Sequence, residues 1–190
     1  MKTKYFEDQT FEDLDVSGSD LSGREYISCE FHRCNLENAD LNSTVFLDCV
    51  FRECNLSLAK VLSSGIKHVQ FFDCKLVGID FGSASDFLFE VGFNKCHLDY
   101  SSFFQKRLKN AQFIECSLKE ADFTETDLTM AVFTNCDLMR ATFVNANLEK
   151  ADFRTARNYA FDPELNRMKG AKFSAHGLGG LLLKYDILVE

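Results

Sequence analysis

Apolar side chains recur at every fifth position along most of the chain. The series runs through sixteen positions from Phe6 to Phe81, shifts by two residues, and continues through fourteen positions from Leu88 to Phe153. With 46% apolar residues, a random sequence would give this series with a probability of about 10⁻¹⁰. A period of five matches neither a helix nor a strand. The pattern therefore predicts tandem units, each with one short straight segment and one turn.

A second rule accompanies the period. The residue two places before each apolar centre is usually small, most often Ala or one of the eight cysteines, and the residue between them is often Asp or Asn. The unit reads Ala/Cys–Asp/Asn–Leu/Phe–x–x, as in Ala121, Asp122 and Phe123. From about Phe6 to Phe153 the chain resembles the pentapeptide-repeat family. This resemblance implies an all-β fold, a right-handed quadrilateral β-helix with four units in each coil.

Coils of four units predict matching side chains at a spacing of 20 residues, and the sequence has them. Pairing Phe71 with Phe93 requires one coil of 22 residues, and we place this two-residue bulge near residues 82–87. Nine phenylalanines on one side, about 4.8 Å apart as in stacked strands, predict a rod of about 40 Å. The inward columns contain the residues predicted to form the structural core: Phe31, Phe51, Phe71, Phe93, Phe113, Phe133, Phe153, Leu98, Leu118 and Leu138.

The repeat weakens after Phe153, returns once at Phe173, and gives way to a different pattern. Leu178, Leu181 and Leu182 have helical spacing, and residues 185–189 are interpreted as an extended tail. We therefore divide the chain into a β-helix, residues 1–173, and a short helical C-terminal cap, residues 174–190, which protects the last strand edge. The family resemblance implies that this end can also form a homodimer.

The sequence gives little sign of catalytic or metal chemistry. The histidines are isolated, and the serines lack a nucleophile motif. Small buried thiols in the place of alanine explain the cysteines better than a metal site or disulfides do. We therefore predict a protein that is not an enzyme and that uses no cofactor and no metal. Six of the thiols fall in one inward column: Cys34, Cys54, Cys74, Cys96, Cys116 and Cys136.

Charge narrows the choice of partner. The net charge of −8 disfavours direct binding of nucleic acid. Residues 1–40 alone contain ten acidic and four basic side chains. The N-terminus lacks the apolar segment of a signal peptide, and the longest apolar stretch, around 178–183, is too short to span a membrane. We expect a cytoplasmic protein that binds another protein and makes no membrane contact.

Two groups of side chains are candidates for a partner surface. Aromatic residues occupy outward positions near the bulge, where they either form an exposed patch or are buried because the bulge folds back on them. They are Phe72, Phe87, Phe89 and Phe104. Carboxylates follow the outward positions of the repeat, and those selected as candidates are Asp122, Asp127 and Asp137.

Two hypotheses of function follow. The stretch from Cys54 to Ala59 is similar to the quinolone-resistance (Qnr) branch of the family. That resemblance implies a DNA-mimicking protein that modulates or protects a type II topoisomerase, DNA gyrase in particular, and can confer quinolone resistance. The alternative is a structural or interaction scaffold that binds an unknown protein partner through the bulge aromatics or the C-terminal cap and has no effect on topoisomerases.

Overall fold

The computed structural model describes residues 4–187. In it the chain winds into a solenoid whose strands pair in parallel, each with the strand one coil away. The predicted all-β quadrilateral β-helix, with a single short helix near its C-terminal end, is confirmed.

Each five-residue unit makes one side and one corner of the coil. In a unit near the middle of the chain, Phe123 points inward and is fully buried. The Thr124 N–H donates to Asp122 Oδ1 at 2.9 Å, and the Thr126 N–H donates to the Phe123 carbonyl at 3.3 Å. Glu125 adopts the left-handed conformation, with φ of 57°. The aspartate and the left-handed residue together turn the chain into the next side.

Two sides of the coil form regular sheets, and isolated bridges join the coils on the other two. One sheet has the order β1-β3-β5-β7 and the other the order β2-β4-β6-β8-β9-β10-β11. The strands are β1 Tyr5–Glu7, β2 Thr10–Glu12, β3 Glu25–Ile27, β4 Glu30–His32, β5 Val45–Leu47, β6 Val50–Arg52, β7 Gly65–Lys67, β8 Val69–Phe72, β9 Val91–Asn94, β10 Gln112–Ile114 and β11 Val132–Thr134. The helix α1 is Gly179–Leu182, and 3-10 turns occur at Phe81–Ser83, Pro163–Leu165, Ala175–Gly177 and Leu183–Tyr185.

The core is a ladder of stacked rings. Nine phenylalanines from Phe11 to Phe173 stack on one side, with ring centroids 4.4 to 5.4 Å apart. The Phe71 and Phe93 pair spans the longer coil in register. The seven phenylalanines and three leucines predicted for the core are 0 to 4% exposed. The ladder sets the length of the rod at about 40 Å.

A second column of rings braces the first edge-on, and it changes sides near the middle of the rod. In the first coils Tyr26 meets Phe31 with ring planes at 71°. From the bulge onward, the edge-on ring comes from the side of the coil that faces the ladder, two units away along the chain, as in Phe103 against Phe113 at 84°. Edge-to-face contacts of this kind add to the apolar burial.

The two-residue insertion lies slightly later than the sequence indicated. The Ser85 N–H still donates to the Ser64 carbonyl at 2.9 Å, in the normal register. Val91 pairs with Val69, a spacing of 22 residues. The extra residues are therefore between Ser85 and Val91. The strand that would follow β7 on its side of the coil is absent from the described residues, and the segment 85–90, called the bulge from here on, replaces it.

The inward residue at the bulge was predicted wrongly. The series of fives places Leu88 inside, but its side chain is 49% exposed and its backbone is left-handed. Phe89 takes the inward place, 9% exposed, with its ring edge-on to Phe81 at 6.2 Å. Because the insertion shifts the phase, the next apolar residue fills the core.

The C-terminal segment closes the rod but does not end in an extended strand. Lys172 still bridges to Asp152, so the last coil extends almost to Phe173. The helix is a single turn, and Tyr185 lies in a 3-10 turn, contrary to the predicted extended tail. Of that tail, residues 188 and 189 lie outside the described part of the chain. Leu181, 8% exposed, joins the cap to the core.

Candidate protein-interaction surface

The bulge is anchored to the rod by a buried lysine. Lys106 is 1% exposed, and its ammonium donates to the Ala84 carbonyl at 2.5 Å and to Asp86 Oδ1 at 2.6 Å. The same nitrogen lies 5.2 Å from the centre of the Phe89 ring. The lysine stem thus fills the space left by the displaced strand, and the charged end takes the place of a ladder hydrogen bond.

Sequence reasoning missed Lys106, although a signal was present. Its position in the unit carries small residues in the neighbouring coils, namely Thr44, Ser64, Ala84 and Thr126. A long basic side chain in a column of small ones breaks the repeat rule. Such a break indicates a coil in which a side chain replaces the regular packing between strands.

The four aromatic residues expected near the bulge have different surroundings. Phe87 is the most exposed, at 79%, and Phe104 is 40% exposed. Phe72 is half-buried beneath the Arg52 guanidinium, 4.3 Å above its ring. Phe89 is inside the rod, so for this residue the second alternative, burial by the bulge, describes the structure. We use the term bulge surface for Phe87, Leu88 and Phe104, the exposed apolar side chains of this region.

A groove of about 590 Å³ lies beside the bulge. Its walls come from the bulge on one side and from the coil containing Arg107 and Lys109 on the other. The carboxylate of Glu90, which also lines it, lies 2.9 Å from His68 Nε2. The region therefore combines a projecting aromatic side chain, Phe87, with a groove beside it.

The three selected aspartates are engaged in the turns of the rod. Each accepts the N–H of the residue two places later, at 2.9 Å for Asp122, 3.0 Å for Asp127 and 3.3 Å for Asp137. The Asp137 carboxylate also lies within 3.9 Å of the charged groups of Lys119 and Arg157. Its side chain is 13% exposed. These residues hold corners of the coil more than they project charge.

The chain matches the family model described as "Pentapeptide repeat region" over residues 24–103, 86–158 and 106–180. The matched segments cover most of its length. This chain belongs to the pentapeptide-repeat family.

Solved structures of other pentapeptide-repeat proteins have the same fold. Full-length QnrB1, described as a plasmid-mediated fluoroquinolone resistance protein, aligns with 98% of this chain and 92% of its own, at 21% identity and a TM-score of 0.67. HetL, described as involved in heterocyst differentiation regulation in the cyanobacterium Nostoc sp. strain PCC 7120, aligns with 90% of this chain and 86% of its own, at 15% identity and a TM-score of 0.73. A comparison with curated protein sequences gave no match.

The thiols of this pentapeptide-repeat protein are free and buried. Burial raises the pKa of the Cys49 thiol to about 11, and a protonated, inaccessible thiol is a poor nucleophile. Within residues 4–187, no cluster of three or more His, Cys, Asp or Glu side chains is arranged to hold a metal ion. No helix in the described part of the chain is long and apolar enough to cross a membrane.

Proposed function

We propose that the protein acts in the cytoplasm by binding another protein, without catalysis, and that this partner is a type II topoisomerase such as DNA gyrase. The single observation that carries the proposal is the acidic rod itself: about 40 Å of stacked coils in a chain of net charge −8. The negative charge of this cylinder is densest over residues 1–40, with ten acidic and four basic side chains, and there it offers a partner the charge that duplex DNA offers. The likeness to QnrB1, over 98% of the chain, supports the same choice.

In this proposal the contacts are divided between charge and the bulge surface. The exposed carboxylates of the first coils supply long-range attraction, which raises the rate of encounter with a basic DNA-binding surface. Phe87 and Phe104 supply apolar contact once the rod is bound. Asp122, Asp127 and Asp137 add to the overall field while they hold their turns.

The experiment is a gyrase supercoiling assay with purified protein, with and without a fluoroquinolone, at two salt concentrations. We expect inhibition, or protection from the drug, at micromolar protein, with an effect that falls as salt screens the charges. No effect at saturating protein and low salt would rule out gyrase as the partner.

A second candidate function is a scaffold that binds a different protein through the bulge surface. It is favoured by the 79% exposure of Phe87 on a segment that Lys106 holds in place. Binding through such a surface would change little with salt, and Phe87→Ala combined with Phe104→Ala would abolish it. If the double variant kept full binding to a captured partner, this candidate would be excluded.

The C-terminal cap is the proposed site of self-association. It exposes apolar side chains around the end of the rod: Leu178 at 44%, Leu183 at 69%, Tyr185 at 50% and Ile187 at 56%. Light scattering after size exclusion tests this proposal, since Leu183→Glu should convert a dimer to a monomer. A monomer in the unchanged protein would contradict it.

A further inference from the structure

In the described part of the chain, residues 4–187, the two ends of the rod differ, because the N-terminal end is open. Phe6, Phe11 and Val16 are only partly buried in the first coil. One coil further in, the same columns hold Tyr26 at 5%, Phe31 at 3% and Leu36 at 2% exposure. A small recess of about 50 Å³ lies among these side chains. The cross-section of the core is therefore accessible at this end, whereas the cap covers the other.

The backbone of the first coil also presents an unpaired edge. In the second coil, four N–H groups donate to the first, at 2.8 to 3.0 Å. These donors are Glu25, Glu30, Asn35 and Asp40. Their counterparts one coil earlier, at Tyr5, Thr10, Asp15 and Asp20, have no backbone acceptor within residues 4–187. Such a row of donors is a template for a further strand.

Residues 4–187 leave this end uncovered. The edge runs around a coil of 20 residues, and it is available for pairing with another molecule.

The charge around the open end indicates what kind of molecule binds there. The carboxylates at the open end include Glu7, Asp8 and Glu12, and few cations lie near them. One of these cations, Arg33, donates from Nε to Asp13 Oδ1 at 2.7 Å and lies 3.7 Å from the Glu12 carboxylate. The hydrogen bond from Arg33 lowers the pKa of Asp13, so this group stays ionised at neutral pH. A second copy of the chain docked end to end would bring two acidic rims together, which is unfavourable. A basic segment would instead be attracted by these carboxylates.

We propose that the open end binds an extended, Lys- or Arg-rich segment of a partner protein by strand addition. The segment runs along β2, and one of its backbone carbonyls accepts the N–H of Thr10. Alternate side chains of an extended strand point in opposite directions, so an apolar one covers Phe11 while basic ones reach the carboxylates. The edge of the first coil is separate from the bulge surface and from the long faces of the rod. The topoisomerase proposal uses the carboxylates of the first coils but not this edge, so the strand pairing does not depend on that proposal.

The test uses a fluorescein-labelled peptide of alternating Lys and Val, blocked at both termini, titrated with the full chain and followed by anisotropy. Thr10→Pro removes one outward N–H at the first residue of an edge strand, where proline is tolerated, and Thr10→Val is its control. We expect Thr10→Pro to weaken binding about fivefold, the equivalent of one backbone hydrogen bond, and Thr10→Val to leave it unchanged. Equal affinity in both variants, with unchanged circular dichroism, would overturn the proposal.

A second pair of variants separates this site from general attraction to an acidic protein. Asp8→Lys changes the charge at the open end, and Asp73→Lys makes the same change mid-rod at an exposed residue with the same φ of 53°. We expect only Asp8→Lys to reduce binding. Equal losses in the two variants would identify the interaction as non-specific and would also overturn the proposal.

Discussion

Phe113 occupies the middle of the aromatic ladder, and its replacement by alanine is the most direct test of how the rod is held together. The side chain is fully buried, between the stacked rings of Phe93 at 5.4 Å and Phe133 at 5.0 Å. Phe103 and Phe123 meet it edge-on at 5.8 and 5.9 Å. Removing the ring leaves a cavity with coils fixed above and below, so the surroundings cannot collapse into it.

The magnitude follows from that geometry. Phe-to-Ala changes in cores destabilise proteins by about 3–5 kcal/mol, and four ring contacts place Phe113→Ala near the upper end of the range. Phe11 stacks on Phe31 alone, meets Phe6 and Tyr26 edge-on, and is only partly buried at the open end. We therefore expect Phe11→Ala to lose only about 2 kcal/mol. Phe87 is 79% exposed, and Phe87→Ala should change the free energy of unfolding by less than about 0.5 kcal/mol.

The assay is urea unfolding followed by circular dichroism, with hydrogen exchange to locate the weakened coils. We expect the loss of stability to be largest for Phe113→Ala, smaller for Phe11→Ala and smallest for Phe87→Ala. If Phe113→Ala unfolded at the same urea concentration as Phe87→Ala, the inward assignment of the ladder would be refuted.

Three other expectations follow from the bulge, the corners and the thiols. Lys106→Ala should destabilise the rod by about 2–4 kcal/mol, through a cavity and an orphaned carbonyl, whereas Asp86→Asn, at a 75% exposed carboxylate, should lose under about 1 kcal/mol. Met130 is left-handed, with φ of 59°. Because asparagine tolerates this conformation, Met130→Asn should raise the free energy of unfolding by about 0.5–1 kcal/mol. Since the Cys49 pKa rises from 9.0 to about 11 on folding, its contribution to stability is full below pH 9 and is lost as the pH rises to about 11.

Each of these has its own measurement. Urea unfolding of the Lys106 and Asp86 variants tests the anchor, and equal losses of stability would show that the ion pair with Asp86 holds the bulge. Met139→Asn is the control for the corner, since Met139 is similarly exposed but not left-handed, and an equal gain there would refute the backbone explanation. For the thiol, melting temperatures of the unchanged chain and of Cys49→Ala are compared across the pH range. Parallel curves would contradict the expected contribution.

The sequence predicts the regular part of this molecule well, because a packed repeat imposes the same demand on every coil. Phe113 and Leu118 must be apolar in any coil, so period alone places them inside. The bulge has no such constraint. Leu88 and Phe89 are both apolar, and only the position of the insertion decides which one enters the core.

The candidate surface was harder to predict, since its properties depend on contacts between distant parts of the chain. Lys106 is buried because the Ala84 carbonyl and Asp86 receive its ammonium, and neither partner is implied by a pattern of fives. For Asp137 the residue type gives a charge, but the nearby cations that offset it come from other coils. The C-terminal cap has no repeat to follow, and its glycines shorten the expected helix to one turn.

Because the coils stack in a 20-residue register, the length of the rod can change only by whole coils. Deleting residues 113–132 would place Phe133 where Phe113 was, so every column would continue, one coil shorter by about 4.8 Å. Deleting residues 113–127 would put Leu128 there and mismatch every column beyond it. The distance between the open end and the bulge is therefore set by the number of whole coils between them. Evolution or design can alter the separation of two bound partners without touching the residues that bind either one.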